Sequence, residues 1–223
     1  NELASAIKIS ESWSNYSSLQ WTWSNSINAY AVFQKNQEES AIDLKRLKDL
    51  FTCCENESLY QVPGISKLPL FNSSTNTGNF SEVIGLLSYS WGEDTEKIIS
   101  EVKKLMKTRP NIMCSISSQQ LGGITKSNQI GKTSFIHRQS EWKPWITASW
   151  NPNDQKEKEQ CLGWLEHGLE QLEPYCQGIH LAQMHQHLGW NEKETHSAFG
   201  DWLNGLKEIK KQHDPNGLLP SFL

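Results

Sequence analysis

The sequence lacks the features that would assign it to several large classes of protein. None of its apolar runs approaches the length of a transmembrane helix, and no signal peptide is recognised at its start. Its 223 residues carry a formal net charge of −4, and this negative charge does not favour binding to nucleic acid or to an anionic membrane. We therefore expect neither a nucleic-acid nor a membrane partner, and we expect one large domain or two small ones.

Cysteine is scarce, and its pattern bears on the compartment. The five cysteines include no CxxC pair, and their odd number argues against a complete disulfide framework. This favours a reducing compartment, the cytoplasm over secretion, although four Asn-x-Ser tripeptides would suit a secreted protein. The first residue is Asn1 rather than methionine, so we expect a processed or excised piece of a longer protein.

The apolar patterns that are present predict an α+β fold. Short aromatic and β-branched runs make residues 1–33 β-rich, and further strands are expected at residues 82–90, 111–120, 134–138, 146–150 and 178–184. Amphipathic helices are expected at residues 37–51, 94–108 and 154–173, and a last one ends at residues 213–215. This order favours a single antiparallel β-sheet with its helices packed on one face and a C-terminal closing helix.

Two of these helices have predicted apolar stripes that the structure can test. The first is expected to bury Ala41, Leu44, Leu47 and Phe51 and to leave Asp43 on a solvated face. The last is expected to point five apolar side chains inward: Phe199, Trp202, Leu203, Leu206 and Ile209.

Residues 119–150 contain the strongest indication of a binding site. A polar strand ends at Gln119 and Gln120, and two glycines follow where a side chain would obstruct a close approach of the backbone. His137, Arg138 and Trp150 lie on the next predicted strands. Two amides, an imidazole, a guanidinium and an indole suit a polar ligand with a flat part, although polar residues at a sheet edge are also normal in proteins that bind nothing there.

The same residues resemble a known family. Gln-Gln-Leu-Gly-Gly at residues 119–123, followed by Thr-Ser-Phe-Ile-His-Arg at residues 133–138, resembles the substrate domain of FAD-linked oxidases similar to berberine bridge enzyme. In that family a GGA element precedes a TAF-x-HR element and a tryptophan-rich strand. This sequence departs from the pattern at Ile124 and Ser134.

The C-terminal residues resemble the closing segment of the same oxidases, whose pattern ends in Lys-x-x-Tyr-Asp-Pro. The residues that fall in register are Leu206, Ile209, Lys210, Asp214 and Pro215, whereas Gly205 and His213 depart from the pattern. The resemblance covers residues 27–220 and implies a substrate-binding α+β domain at residues 1–178 and a C-terminal segment at residues 179–223. It corresponds to the C-terminal portion of such an oxidase.

The resemblance also implies an FAD cofactor bound mainly elsewhere. The family's FAD-binding domain is absent here, and no Gly-rich turn leads from a strand into a helix. The implied partners are therefore an FAD-binding domain, in the same full-length protein or a companion chain, and a small-molecule substrate such as a sugar, an alcohol or an alkaloid-like compound. By itself the chain is not expected to catalyse the oxidation.

The catalytic base is the point at which the resemblance weakens. The family's Tyr-x-Asn element falls on His180 and Ala182, so His180 is a candidate base, or else a strand histidine satisfied by a neighbour. Gln183 and His185, which follow it, are the candidate cofactor contacts on this chain. No cysteine or carboxylate lies at ligand spacing from these histidines, so no metal is expected.

The alternative function is a non-catalytic module that binds carbohydrate or protein and derives from such an oxidase. The ten tryptophans suit stacking on sugar rings. The two hypotheses predict different surfaces. An oxidase domain should bring Gln119, His137, Arg138 and His180 to one open face, whereas a sugar-binding module should expose a row of tryptophans.

Overall fold

The computed structural model describes residues 2–34, 38–50, 57–67, 78–123, 135–181, 185 and 189–218. These residues form six α-helices and six β-strands. The helices are α1 (Glu2–Ser10), α2 (Glu38–Leu50), α3 (Thr95–Lys107), α4 (Gln155–Leu172), α5 (Asn191–Phe199) and α6 (Trp202–His213). The strands are β1 (Ser17–Trp23), β2 (Ile27–Phe33), β3 (Phe80–Leu87), β4 (Ser115–Gln120), β5 (Trp142–Trp150) and β6 (Gly178–His180).

The six strands form one sheet in the order β2-β1-β4-β5-β3-β6, and every neighbouring pair is antiparallel. The predicted α+β class with a single antiparallel sheet is thereby confirmed. Successive side chains of a strand point to opposite faces, so the register assigns each strand residue to one face. The two faces of this sheet differ in chemistry.

One face is apolar and carries the hydrophobic core. Strand residues such as Trp21, Ile84 and Ile146 are fully buried there. Helix α3 contributes Ile98, Val102 and Leu105, which recur at helical spacing. Helix α4 packs closely onto the centre of the sheet, since a Cβ added at Gly168 would lie 2.7 Å from Ile146 Cδ1. None of the described helices is long and apolar enough to cross a membrane.

The prediction that residues 1–33 are wholly β-rich is wrong at its start, where the chain forms α1. Leu3, Ala6, Ile7 and Ser10 recur at helical spacing, and all four are buried. The β-branched residues of this segment therefore serve a helix, because burial of one face outweighs their modest intrinsic preference for strands.

The predicted stripe of α2 is wrong at two positions: Ala41 is exposed, whereas Asp43 is buried. Leu44 and Leu47 are half-buried, in line with the prediction. The Asp43 carboxylate accepts hydrogen bonds from Ser14 N at 3.1 Å, Ser14 Oγ at 3.0 Å and Ser17 Oγ at 2.9 Å. The helix thus packs against a polar turn whose donors need an acceptor. Phe51 lies outside the described residues.

Two further predictions need correction near the C-terminal half. The last helix is two helices separated at Gly200, whose φ of 51° favours glycine, and Ile209 is exposed rather than buried.

The strand expected at residues 134–138 is not formed over residues 135–138. There Ser140 N donates to His137 O in a turn. Strands β3 and β4 already occupy both sides of β5, so this segment has no place beside it in the sheet.

Candidate functional site

The other face of the sheet, which we call the open face, carries two polar rows of side chains. The register aligns them across the strands at right angles to the chain. The first row crosses all six strands and comprises Asn28, Thr22, Ser117, Trp145, Gly85 and His180. The second crosses four strands and comprises Tyr30, Gln20, Gln119 and Lys143.

Lys143 and Trp145 form the centre of the open face. They are two residues apart on β5, so both point to this face, and Lys143 Nζ lies 5.2 Å from the centroid of the Trp145 ring. Partial burial lowers the pKa of Lys143. An ammonium above an indole is a cation–π pair, which helps to retain the charge in this half-buried position. The face therefore presents a cation and an aromatic surface side by side.

His180 is the titratable group at the β6 end of the first row. Burial lowers its pKa, and the nearby charge of Lys143 lowers it further. The imidazole is consequently neutral at pH 7 and has a nitrogen that can accept a proton. These are the properties required of a general base.

Gly85 separates Trp145 from His180 in the first row, because it pairs with both residues. A Cβ at Gly85 would lie 3.3 Å from His180 Cβ and 3.4 Å from His180 O. Because Gly85 has no side chain, the row carries none between the indole and the imidazole, and we call this position the gap at Gly85. The short distances show that His180 packs closely against the sheet backbone there.

The two glutamines predicted to bind substrate point to opposite faces. Gln119 lies on the open face, opposite Lys143 on β5. Gln120 is buried on the apolar face, where its Oε1 accepts from Leu19 N at 3.0 Å and its Nε2 donates to Ser10 O at 2.8 Å. Strand alternation makes this division unavoidable, and it gives Gln120 a structural role.

His137 lies over the open face at β6. A Cβ at Gly178 would collide with its ring, and Gly178 points to the same face as His180, two residues further along the strand. His137 Nε2 is 2.9 Å from Ser197 O in α5. Arg138 stacks its guanidinium over the Phe135 ring at 5.2 Å. The structure thus brings Gln119, His137 and His180 to one face, and places Arg138 beside Phe135.

The remaining predicted site residues lie elsewhere. Trp150 is buried, in the same phase of β5 as Ile146. His185 is buried, and its Nδ1 is hydrogen-bonded with the Glu194 carboxylate, while its Nε2 lies 3.6 Å from Glu82 Oε2. These contacts give His185 a structural position. Gln183 lies outside the described residues.

Sequence reasoning missed Lys143, Trp145 and Gly85. Lys143, Trp145 and Thr147 alternate with buried residues, and this period-two pattern is visible in the sequence. The pattern therefore predicts a strand that begins at residue 142, four residues before the start expected above. The role of Gly85 has no such signal, because it depends on which strands are its neighbours.

No protein-family model matches the sequence, and no curated protein matches it significantly. Solved structures do match the fold. A variant of berberine bridge enzyme covers 99% of this chain with a TM-score of 0.70 at 16% identity, and the match spans 52% of that protein. The BBE-like 1 protein of Physcomitrella patens covers 100% with a TM-score of 0.71 at 16% identity, over 50% of its own length. The chain has the fold of half a berberine bridge enzyme-like oxidase.

A third structure supports the same assignment of the fold. Chitooligosaccharide oxidase covers 96% of the chain with a TM-score of 0.68 at 13% identity, over 49% of its own length. The resemblance to berberine bridge enzyme-like oxidases, stated above on two sequence motifs, is therefore confirmed at the level of the fold. The chain spans about half the length of these proteins.

Proposed function

We propose that this chain is the substrate-binding part of an FAD-dependent oxidoreductase, and that the open face forms one wall of its active site. The observation that carries the proposal is the grouping of Lys143, Trp145 and His180 around the gap at Gly85, on a sheet with the berberine bridge enzyme-like fold. The partner is an FAD-binding domain, either elsewhere in the full-length protein or on a companion chain. Residues 179–223 act as the segment that closes this domain.

In the proposed site, the substrate lies between the open face and the cofactor. The side chains of the open face offer an amide, an ammonium and an imidazole, and a flat group of the substrate lies at the gap at Gly85. Gln119 and Lys143 are the residues of this chain that would face such a ligand. When bound, a flavin accepts a hydride from the substrate.

His180 is the proposed base on this chain. A neutral imidazole can take a proton from a substrate hydroxyl, and the lowered pKa keeps it in the required form at pH 7. Lys143 contributes a positive charge beside the oxygen that becomes negative as that proton leaves. Trp145 orients the substrate by contact with its ring.

We propose a hydroxylated substrate, either a sugar or another alcohol. The open face is mostly polar, and its indole can stack on a sugar ring or an aromatic ring. One similar structure is chitooligosaccharide oxidase, and another is berberine bridge enzyme in complex with (S)-reticuline. The polar rows favour the hydroxyl-rich ligand of the two.

The alternative, a non-catalytic module that stacks sugars on exposed tryptophans, is less well supported. All ten tryptophans lie in the described part of the chain. Five of them are buried, and each of the other five is only partly exposed. They therefore form no exposed row, and the single indole on the open face is Trp145.

The proposal is tested on the protein expressed from its complete gene. A flavin absorption spectrum, bleached under anaerobic conditions by a chitooligosaccharide or another polyol, is the expected result. The substitution His180→Ala should slow bleaching at least about 100-fold while the spectrum of the oxidised flavin persists, since a general base contributes roughly 10²–10⁴-fold. A matched control is His167→Ala, a histidine exposed on α4. A complete gene product of this size without flavin would contradict the proposal and leave a binding module.

A further inference from the structure

Two cysteine thiols face each other in the core, on the side of the sheet opposite the open face. Cys114 precedes β4 and Cys161 lies in α4, and both are fully buried. Their Sγ atoms are 3.7 Å apart, which is van der Waals contact between two sulfur atoms. Both thiols also lie near the Ser149 carbonyl oxygen, Cys161 Sγ at 3.3 Å and Cys114 Sγ at 3.9 Å. The pair therefore sits at the contact between α4 and the sheet.

The surrounding hydrogen bonds hold the backbone of Cys114 and the thiol of Cys161 in place. Asn111 Oδ1 accepts from Cys114 N at 3.2 Å. The amide nitrogen of the same side chain contacts Ser149 O at 2.8 Å and Cys161 Sγ at 3.5 Å. One asparagine thus connects both cysteines to β5. Neither cysteine has to be brought from a distance for its sulfur to reach the other.

We propose that Cys114 and Cys161 form an intramolecular disulfide that links α4 to the sheet when the chain folds in the presence of a small disulfide oxidant such as oxidised glutathione. The bond requires the sulfurs to approach to about 2.0 Å, so both side chains must move from their present contact. The contact between the two sulfur atoms and their shared position beside the Ser149 carbonyl support this assignment.

The reaction is a pair of thiol–disulfide exchanges. The thiolate of one cysteine attacks oxidised glutathione, forms a mixed disulfide and releases one glutathione thiolate. The second cysteine thiolate then attacks the protein sulfur of that mixed disulfide and releases the second glutathione. The two cysteines lose two protons and two electrons in all, and one oxidised glutathione becomes two reduced molecules.

Burial determines when this reaction takes place. It raises the pKa of the Cys161 thiol to about 12, so the folded reduced protein holds almost none of the reactive thiolate at neutral pH. The oxidant must therefore act before α4 is fully packed. An odd number of cysteines is no obstacle, since the proposal concerns one internal pair.

The test compares refolding with incubation of the folded protein. Denatured, reduced full-length chain is refolded in a mixture of reduced and oxidised glutathione, and a second sample is first folded under reductant and then given the same mixture. Free thiols are alkylated in denaturant, and tryptic peptides are analysed by mass spectrometry. We expect a Cys114–Cys161 linked peptide, two hydrogen atoms lighter than the separate peptides, at least about tenfold more abundant in the refolded sample.

Stability supplies the second measurement. The linked form should melt on the order of 10 °C above the same chain after reduction, because the bond closes a long loop of the unfolded chain. The control Cys176→Ser should retain the linked peptide and the shift. The variant Cys114→Ala should lose both, so that its melting temperature no longer depends on the glutathione mixture.

Three outcomes would overturn the proposal. The first is alkylation of both thiols in the refolded wild-type sample. The second is a stable glutathione adduct on either cysteine. The third is a link from Cys114 or Cys161 to another cysteine, such as Cys53 or Cys54, which lie outside the described residues. The wild-type chain after reduction serves as the control for its own linked form. The wild-type comparison therefore tests the proposal even if a variant fails to fold.

Discussion

The ring of His137 occupies the space that a side chain at Gly178 would need. A Cβ at Gly178 would lie 2.8 Å from His137 Nδ1 and closer still to Nε2 and Cε1. This contact and the hydrogen bond of 2.9 Å to Ser197 O fix the imidazole between β6 and α5. The C-terminal helices are thereby joined to the sheet through a residue that lies over the open face.

The substitution Gly178→Ala should destabilise the chain by displacing His137. An alanine Cβ cannot be accommodated without moving the ring, so we expect a loss of about 1–3 kcal/mol in the free energy of unfolding, measured by urea denaturation. Gly163→Ala is the matched control, because a Cβ there meets nothing within 4 Å and lies in helix α4. That control should gain roughly 0.5–1 kcal/mol. Equal behaviour of the two variants would contradict the steric role of Gly178.

The protonation of His180 should depend on Lys143. Because the pKa of His180 is lower in the folded protein than its ordinary value of 6.5, the unfolded chain binds this proton more tightly. The stability that depends on a neutral His180 is therefore present above about pH 6.5 and is lost as the pH falls through the folded-state pKa.

The dependence is measured by NMR titration of the histidine ring signals. In the variant Lys143→Gln the pKa of His180 should rise, but not to its ordinary value, because burial is the larger cause of the shift. The control Lys156→Gln, at an exposed position in α4, should leave it unchanged. A pKa of His180 that is the same in all three proteins would refute the proximity of the two side chains.

Gln119 and Gln120 provide a direct comparison of the two faces of the sheet. Gln120→Ala should cost about 2–4 kcal/mol in the free energy of unfolding, because Leu19 N and Ser10 O lose their partners in the core. Gln119→Ala should change it by no more than about 0.5 kcal/mol, as is usual away from buried networks. Thermal unfolding of both variants distinguishes the positions, and a larger loss for Gln119→Ala would reverse the assignment of the faces.

Gly85→Ala tests the gap on the open face. The added methyl group would lie 3.3 Å from His180 Cβ, so it narrows the space between His180 and Trp145 more than it disturbs the core. In the proposed flavoenzyme, expressed from the complete gene, we expect at least a tenfold fall in kcat/KM, about 1.4 kcal/mol, with a melting temperature within a few degrees of the wild type. Full activity with a normal melting temperature would show that substrate does not enter the gap.

A helix could be predicted from the sequence where its apolar residues form a single stripe that packs against one neighbouring element. Helix α3 is such a case, since Ile98, Val102 and Leu105 follow helical spacing and all are buried. The stripe of helix α2 was predicted only in part, because the helix packs against a polar turn and the residue that contacts this turn is Asp43. A sequence pattern shows which residues share a face, but it does not show what that face will contact.

The site was predictable in part for a similar reason. The resemblance identified Gln119, His137 and His180, and these three share the open face. Lys143 and Trp145 lie on a strand whose alternation is readable. Their relation to Gly85 and His180 depends on the register of β3 between β5 and β6, which no local pattern encodes.

The first row of the open face contains a residue from every strand, from Asn28 near the start of the chain to His180 near its end. Strands β2 and β6 stand at opposite edges of the sheet, so the row is complete only after the last strand has paired with β3. During synthesis the row is therefore completed only when β6 has left the ribosome and paired with β3. A chain that ends before β6 would lack His180 and could not complete the row.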